Sequence, residues 1–275
     1  MDNQRPEFDH LISTIADYAL TENPTFSANA YKTAYYCLLD SIACALMALK
    51  FPACNKLLGP YLPNTSTKNG CPIPGTDFKL DPIQAAFNIG TLIRWLDFND
   101  TWLAEEWGHS SDNLGAILAI GDYMSRHNNT TVTVQDVLNA MIIAYEIQGV
   151  IALKNSFNKV GLDHVLLVKI ASTAATARLL KLDREQTLNA ISHAWLDGQA
   201  LRTYRHAPNT GSRKSWAAGD ATARAVRLAW FAERNEMGYP SAISATTWGF
   251  QDSLFRGNEI KVTQDFDDYV MQNIL

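Results

Sequence analysis

Asp81-Pro82-Ile83-Gln84-Ala85-Ala86-Phe87-Asn88-Ile89-Gly90-Thr91-Leu92-Ile93-Arg94-Trp95-Leu96-Asp97 reads as one helix that delivers a polar loop, and this reading sets the fold. Asp81 is a favoured N-cap type, and Pro82 suits the first helical position, where no N–H is needed. The loop that follows, Phe98 to Asn113, sets carboxylates, hydroxyls and a histidine among tryptophans. Neither the helical nor the strand period accounts for that mixture, because the polar groups sit between aromatics instead of lining one face. The expected arrangement is a helix end feeding a loop whose polar groups point into a walled pocket. A second helix is expected from Ser111 or Asp112 to His127. Its amide-rich end would lie near His109 and favour negative charge. The competing reading is an ordinary surface loop capping a core, since Trp and Phe bury large areas wherever they sit.

Working outward, the chain reads as many helices joined by short loops. Pro6 to about Leu20 is amphipathic, with Leu11, Ile12, Ile15 and Tyr18 inward. Ser27 caps a long helix to about Leu49 with a stripe of Ala30, Ala34, Cys37, Leu38, Ile42 and Ala45, small enough for close helix contact. A short helix starts at Phe51-Pro52, and Pro63 to Pro74 is turn chemistry with a brief strand at Cys71 to Pro74. Asn128 to Val132 is a loop. Thr133-Val134-Gln135-Asp136 resembles a capping box opening a helix to about Leu153. An apolar, small-residue run follows Asp163-His164 to Leu180, Asp183 caps a helix to about Ala200, and Ser215 to Arg234 is another helix, with a turn or two near Ser241 to Thr247. No block recurs at a fixed spacing, so a solenoid is not indicated. The fold class is all-α, a multihelical bundle-like domain.

The 275 residues are 47% hydrophobic and 19% charged, enough for a large core. A net charge of -5 argues against general nucleic-acid binding. No uninterrupted apolar run is long enough to span a bilayer, and the N-terminus leads toward a helix without an apolar signal core, so no membrane partner is expected and the cytoplasm is the expected location. Cys37, Cys44, Cys54 and Cys71 form no C-x-x-C pair. They read as small core residues, offering neither a cluster site nor a disulfide framework.

Chemistry concentrates at helix ends and loops: the stretch holding Asp97, Thr101 and His109, then Asp163-His164, then the basic loop Thr203 to Lys214 with the Arg202 that precedes it. Arg202, Arg205, His206 and Arg213 cluster inside an acidic protein, and Arg suits bidentate carboxylate binding. The amides at the start of the next helix, with Lys214, offer a further anion-binding end. Solvated charge is the bland alternative for the loop, and a capped structural residue is the bland alternative for His164. Asp97, Asp100, Glu105, Glu106, His109 and His164 would allow Mg²⁺ or Mn²⁺ by oxygen count, but no metal-binding spacing is present, and no metal or other cofactor is expected. A basic loop with His and Asp suits a di- or tricarboxylate substrate. Removing a proton beside a carboxylate builds charge that nearby cations must stabilise, with a base to take the proton and an acid for the leaving hydroxide.

Trp95-Leu96-Asp97-Phe98-Asn99-Asp100-Thr101-Trp102, Gly161-Leu162-Asp163-His164 and Arg205-His206-Ala207-Pro208-Asn209-Thr210-Gly211, with Arg213 to Asp220, closely resemble the MmgE/PrpD family. The resemblance covers nearly the whole chain. It implies the N-terminal helical domain of a homodimeric lyase that dehydrates 2-methylcitrate to 2-methyl-cis-aconitate in propionate catabolism, without an iron–sulfur cluster. A related member decarboxylates cis-aconitate on the same scaffold. The family's aspartate and threonine fall on Asp97 and Thr101, its histidines on His109 and His164, and its lysine on Lys214. On this reading Asp97 and His109 handle the proton, His164 protonates the departing hydroxyl, Lys214 neutralises charge, and Thr101 positions a carboxylate or water. Family members are longer, with a further Lys, His and Tyr beyond Leu275. Residues 1–250 are therefore expected to form the helical domain and 251–275 to begin a linker toward an absent α+β domain. An inactive dimerisation or binding fragment is the alternative.

Overall fold

Asp81 caps α4 (Pro82–Arg94) by accepting the Ile83 and Gln84 N–H groups at 3.0 and 3.1 Å. In the computed structural model, which describes residues 5–127 and 131–275, α4 is the central strut, with every residue but Ile83 buried. The stretch before Arg5 and residues 128–130 of the expected loop lie outside the described residues. A helix buried all round needs apolar or hydrogen-bonded residues on every face, and α4 supplies them. Asn88, for example, accepts the Gly59 N–H at 2.7 Å and donates to the Gln84 carbonyl at 2.8 Å.

Around α4 pack α5 (Leu114–His127) and α9 (Arg213–Glu233), with α7 (Val165–Leu180) against α9 and α6 (Val134–Ala152) against α7. α7 buries every residue but Arg178, so its small-residue run is an interior helix. Three glycines set the closest approach. A Cβ on Gly90 would lie 2.9 Å from the Gly219 Cα, one on Gly115 would lie 2.9 Å from the Gly90 Cα, and one on Gly219 would lie 2.4 Å from the Phe87 carbonyl oxygen. Helices α4, α5 and α9 meet backbone to backbone there.

The outer helices are α1 (His10–Ala19), α2 (Ala28–Ala48), the short α3 (Pro52–Asn55) and α8 (Arg184–Leu196). The expected caps are present: Ser27 on α2, and reciprocal capping boxes of Thr133 with Asp136 and of Asp183 with Gln186. Cys71–Pro72 (β1) pairs antiparallel with Lys79–Leu80 (β2), realising the brief strand. The all-α class stands.

One stripe needs correction. The buried side of α2 runs through Ala30, Ala34, Leu38, Ser41, Cys44, Ala45 and Ala48, and Ile42 faces outward with Tyr35, Leu39 and Leu46. Adjacent residues diverge by about 100° around a helix, so choosing Ser41 for the core turns Ile42 away. Apolar residues on both faces hid this from the sequence. Beyond α10 (Phe250–Ser253), residues up to α11 (Tyr269–Asn273) lie against the bundle. Asn155 exchanges hydrogen bonds with the Lys261 backbone at 2.7 and 2.9 Å, and Glu146 accepts the Val270 N–H at 2.7 Å. No helix among the described residues is long and apolar enough to cross a membrane.

Candidate active site

Three segments distant in sequence meet beyond the C-terminal end of α4. The chain leaves Arg94 and passes Asp97 in the left-handed region at φ 62°, a conformation that Asp tolerates better than bulkier residues. It then runs to Trp102, whose N–H donates to the Gly108 carbonyl at 2.8 Å, while the Gly108 N–H donates back at 3.1 Å. This closure returns His109 beside Asp97 and opens a 3-10 turn, Ser110–Asn113, that feeds α5. In the second segment Leu162 pairs with Leu201, and the Asp163 N–H donates to the Ala200 carbonyl at 2.9 Å. That pairing fixes His164 at the start of α7. The third segment is the first turn of α9, which carries Lys214 to Asp97.

The cluster is layered from surface to interior. Lys214 Nζ donates to Asp97 Oδ2 at 2.5 Å, and Arg94 grips Oδ1 from within. The Lys214 and Asp97 side chains are 41% and 36% exposed, so this end meets solvent. His109 Nε2 stands 3.4 Å from Asp97 Oδ1. His109 is buried and His164 more so, with 6.2 Å between ring centroids. Beneath them lies Asp112, fully buried, with Oδ1 accepting from Asn99 Nδ2 at 3.2 Å and Arg94 Nε 3.6 Å away.

Electrostatics sort these groups into roles. Burial opposes charge on Asp97, but Arg94 and Lys214 outweigh it and hold the carboxyl well below the usual range. Burial, helped by Arg94, pushes His109 down to about 4, so near neutral pH its imidazole is uncharged. His109 Nδ1 lies 2.7 Å from the Asp100 carbonyl oxygen, which only an N–H satisfies. The proton therefore sits on Nδ1, and Nε2 offers a lone pair. Burial drives His164 far down as well, against the pull of Asp163, and neither of its ring nitrogens has a hydrogen-bond partner. Burial lifts the Asp112 carboxyl to about 7, opposed by Arg94 and aided by Asp100.

The structure brings Asp97, His109, His164 and Lys214 together. Thr101 sits half-buried, and its backbone N–H and carbonyl pair with Leu275 at 2.8 and 3.0 Å. The basic residues are largely occupied by the protein's own groups. Arg205 grips Asp163 with two nitrogens, one of them at 3.1 Å. Arg202 lies over the Trp107 ring at 5.0 Å and 3.6 Å from Glu106. Arg213 stacks on Trp216 at 4.3 Å and reaches Asp220 at 3.6 Å, while His206 is exposed. The anion-binding helix ends are occupied too. The Ser111 N–H donates to Asp100 Oδ1 at 3.0 Å, and the Lys214 and Ser215 N–H groups donate to the Gly211 and Ser212 carbonyls. Glu105 pairs with Lys159 and Glu106 with Asn158. Among the described residues no three His, Cys, Asp or Glu side chains are grouped to hold a metal ion, and all four cysteines are free.

Three residues of this cluster escaped the sequence reading. Asp112 looked like a helix start, and Arg94 and Gly108 were given no role. The usable signal was Arg94 itself: a cation that is the one charged residue of α4 needs a carboxylate partner once that helix is buried. A groove of ≈ 630 Å³ lined by Leu11, Ile243, Gln251 and Val262 contains none of these residues. Its walls carry no histidine–carboxylate–lysine grouping, so chemistry, not volume, locates the site.

The family model described as the MmgE/PrpD N-terminal domain matches residues 10–263. The chain is 61% identical over 279 residues to a 2-methylcitrate dehydratase of Escherichia coli (strain K12), covering 100% of this chain and 58% of that one. It is 60% identical over 276 residues to one from Cupriavidus necator, covering 99% and 57% of the two chains. It is 55% identical over 279 residues to a mitochondrial 2-methylcitrate dehydratase of Yarrowia lipolytica, covering 100% and 54%. The chain thus spans a little over half the length of the curated relatives that it matches.

Proposed function

The chain belongs to the MmgE/PrpD family, and from that premise we propose that it supplies the helical, proton-handling part of a lyase that dehydrates 2-methylcitrate to 2-methyl-cis-aconitate. The observation that carries this reading is the meeting of Lys214, Asp97 and the uncharged His109 within 3.4 Å contacts at one site. The names of the relatives support the same reaction.

His109 Nε2 takes the proton from the carbon beside a substrate carboxylate. Before transfer, Nε2 carries no hydrogen and gains little from Asp97. After transfer, its new N–H and positive charge face that carboxylate, so Asp97 stabilises the product of the step more than its start. Lys214 faces charge that builds at the reacting carbon, and with Arg94 it keeps Asp97 ionised. His164, its ring centroid 6.2 Å from that of His109, hands a proton to the departing hydroxyl. Thr101 positions a substrate carboxylate or water. Arg202, Arg205, His206 and Arg213 serve the carboxylate side, with Arg202 and Arg205 shaping that wall through Glu106 and Asp163.

We also read the protein as a cytoplasmic homodimer in which residues 251–275 lead toward a further domain. The four free cysteines support a reducing compartment. The outward apolar face of α2 supports a partner copy. Sedimentation at several concentrations tests the dimer.

The assay is formation of the unsaturated acid, read by ultraviolet absorbance, with 2-methylcitrate offered to this chain alone and to the chain extended by the part of the E. coli relative that it does not cover. Product in the extended chain supports the reading, and absence of product in both removes it. The partial coverage favours a second reading, a helical binding or dimerisation module without activity alone, and turnover only in the extended chain would bear that out for this segment. Carbon dioxide release from cis-aconitate would move the assignment to decarboxylation.

A further inference from the structure

A neutral imidazole is a poor acid, and every group around His164 keeps it neutral or is itself engaged. Its ring is buried, and Asp163, on the Nδ1 side at 3.5 Å, is taken up by Arg205. A proton for the departing hydroxyl must therefore reach His164 from elsewhere. On the Nε2 side stands Asp112 Oδ2, 3.9 Å away, fully buried and without any hydrogen-bond partner, while Asn99 holds the other oxygen, Oδ1. A bare carboxylate oxygen in that position has lost its hydration with nothing in return. A carboxylic acid whose O–H points at His164 resolves the defect, because it needs only one acceptor.

We propose that Asp112, a residue with no role in the scheme above, holds the proton that His164 delivers to the leaving hydroxyl, and that Asp112 is therefore a positioning residue for the acid half of the dehydration. The inference rests on the dehydration reading. As the C–H bond beside the carboxylate breaks, its electrons form the C=C bond and the C–O bond breaks. The hydroxide takes a proton from one nitrogen of His164 and leaves as water, while Asp112 passes its own proton to the other nitrogen. His109 ends with the substrate's proton and Asp112 ends one short. Exchange with solvent restores both, and the net change is substrate to enoate and water.

The groups facing Asp112 suit that duty. Arg94 from α4 and Arg205 from the basic loop favour the carboxylate once formed, Asp100 and burial favour the acid, and Asn99 donates to either form. The balance leaves a carboxyl raised to about 7, which can release and regain a proton near neutral pH. At 3.9 Å the two groups are not yet hydrogen-bonded, as is common for catalytic contacts before substrate binds.

The test uses the extended, active chain and two substrates: 2-methylcitrate, and the analogue carrying fluorine in place of the departing hydroxyl, which leaves without needing a proton. Asp112→Asn should lower kcat on 2-methylcitrate about 100-fold with KM nearly unchanged, abolish the alkaline limb of the kcat profile, and leave the fluoride substrate within about threefold of wild type. Equal losses on both substrates, or no loss on either, would overturn the proposal while leaving the dehydration reading in place. If the variant does not fold, the wild type alone decides. Its alkaline limb should appear with the hydroxyl substrate and vanish with the fluoride one, and the same limb with both overturns the inference. A wild type that turns over neither substrate takes down the reading and the inference together.

Discussion

Gly108 leaves the His164 ring the space that a side chain would take: a Cβ there would lie 2.9 Å from Cδ2 and 3.2 Å from Cγ of that ring. The two residues come from different segments, so one absent side chain seats the loop of the first against the histidine of the second.

Gly108→Ala should therefore displace the His164 ring. Overpacking of this kind costs about 1–3 kcal/mol, and a shift of about 1 Å in a reacting group can cost about 100-fold in rate. Thermal unfolding and dehydration by the extended chain check both. A variant with wild-type turnover would show that the seat does not matter.

His109→Ala and Lys214→Ala, made separately in the extended chain, should each lower the rate by about two orders of magnitude or more. Near-normal turnover in both would remove the site assignment. In the wild type, kcat/KM should fall as pH drops toward about 4, where His109 gains a proton and loses its lone pair, and an acid limb near the ordinary imidazole range would contradict the burial argument.

Arg205 and His206 are neighbours with opposite expected behaviour. Arg205→Ala leaves Asp163 buried without its bidentate partner and should cost about 3–5 kcal/mol, seen as a large drop in Tm. His206→Ala removes an exposed side chain and should leave Tm unchanged. Equal stability of the two variants would refute the structural role of the Arg205 pair.

Glu146, fully buried, accepts the Val270 N–H at 2.7 Å and the Asp267 N–H at 3.3 Å, and so latches the chain's last helix to α6. Burial raises its carboxyl to about 7, against those two backbone donors. A folded-state value above the unfolded one means that the folded state binds the proton more readily. Its stabilising contribution is therefore full below the unfolded value of 4.5 and lost as pH rises through about 7. Amide-exchange protection at Val270 and Met271, corrected for base catalysis, should fall across that window, and Glu146→Gln should flatten the dependence. A slope unchanged in the variant would assign it to another group.

The fold was legible where local chemistry is strong. Asp81-Pro82, Ser27, Thr133 and Asp183 announce their helices because a cap is a contact within one turn of chain. Asp97, His109, His164 and Lys214 were legible through resemblance, since each lies in a long, distinctive motif. What the sequence did not reveal depends on partners remote in the chain. Arg205 reads as a free cation until Asp163 is placed against it, and Asp112 reads as a helix start until Arg94 and His164 surround it. Ile42 fails for a different reason: with apolar residues on both sides of α2, periodicity alone does not choose the face.

The contact of Gly90, Gly115 and Gly219 involves no side chain of the candidate site, yet it acts as a gauge. Asp97 hangs from the far end of α4 and Lys214 from the near end of α9, and both helices are as close as their bare backbones permit. Even one methyl group at Gly219 would push the pair apart at the waist and widen the gap at the tip. The spacing between a carboxylate and an ammonium is thus calibrated about one to two turns down each helix by side chains that were never there.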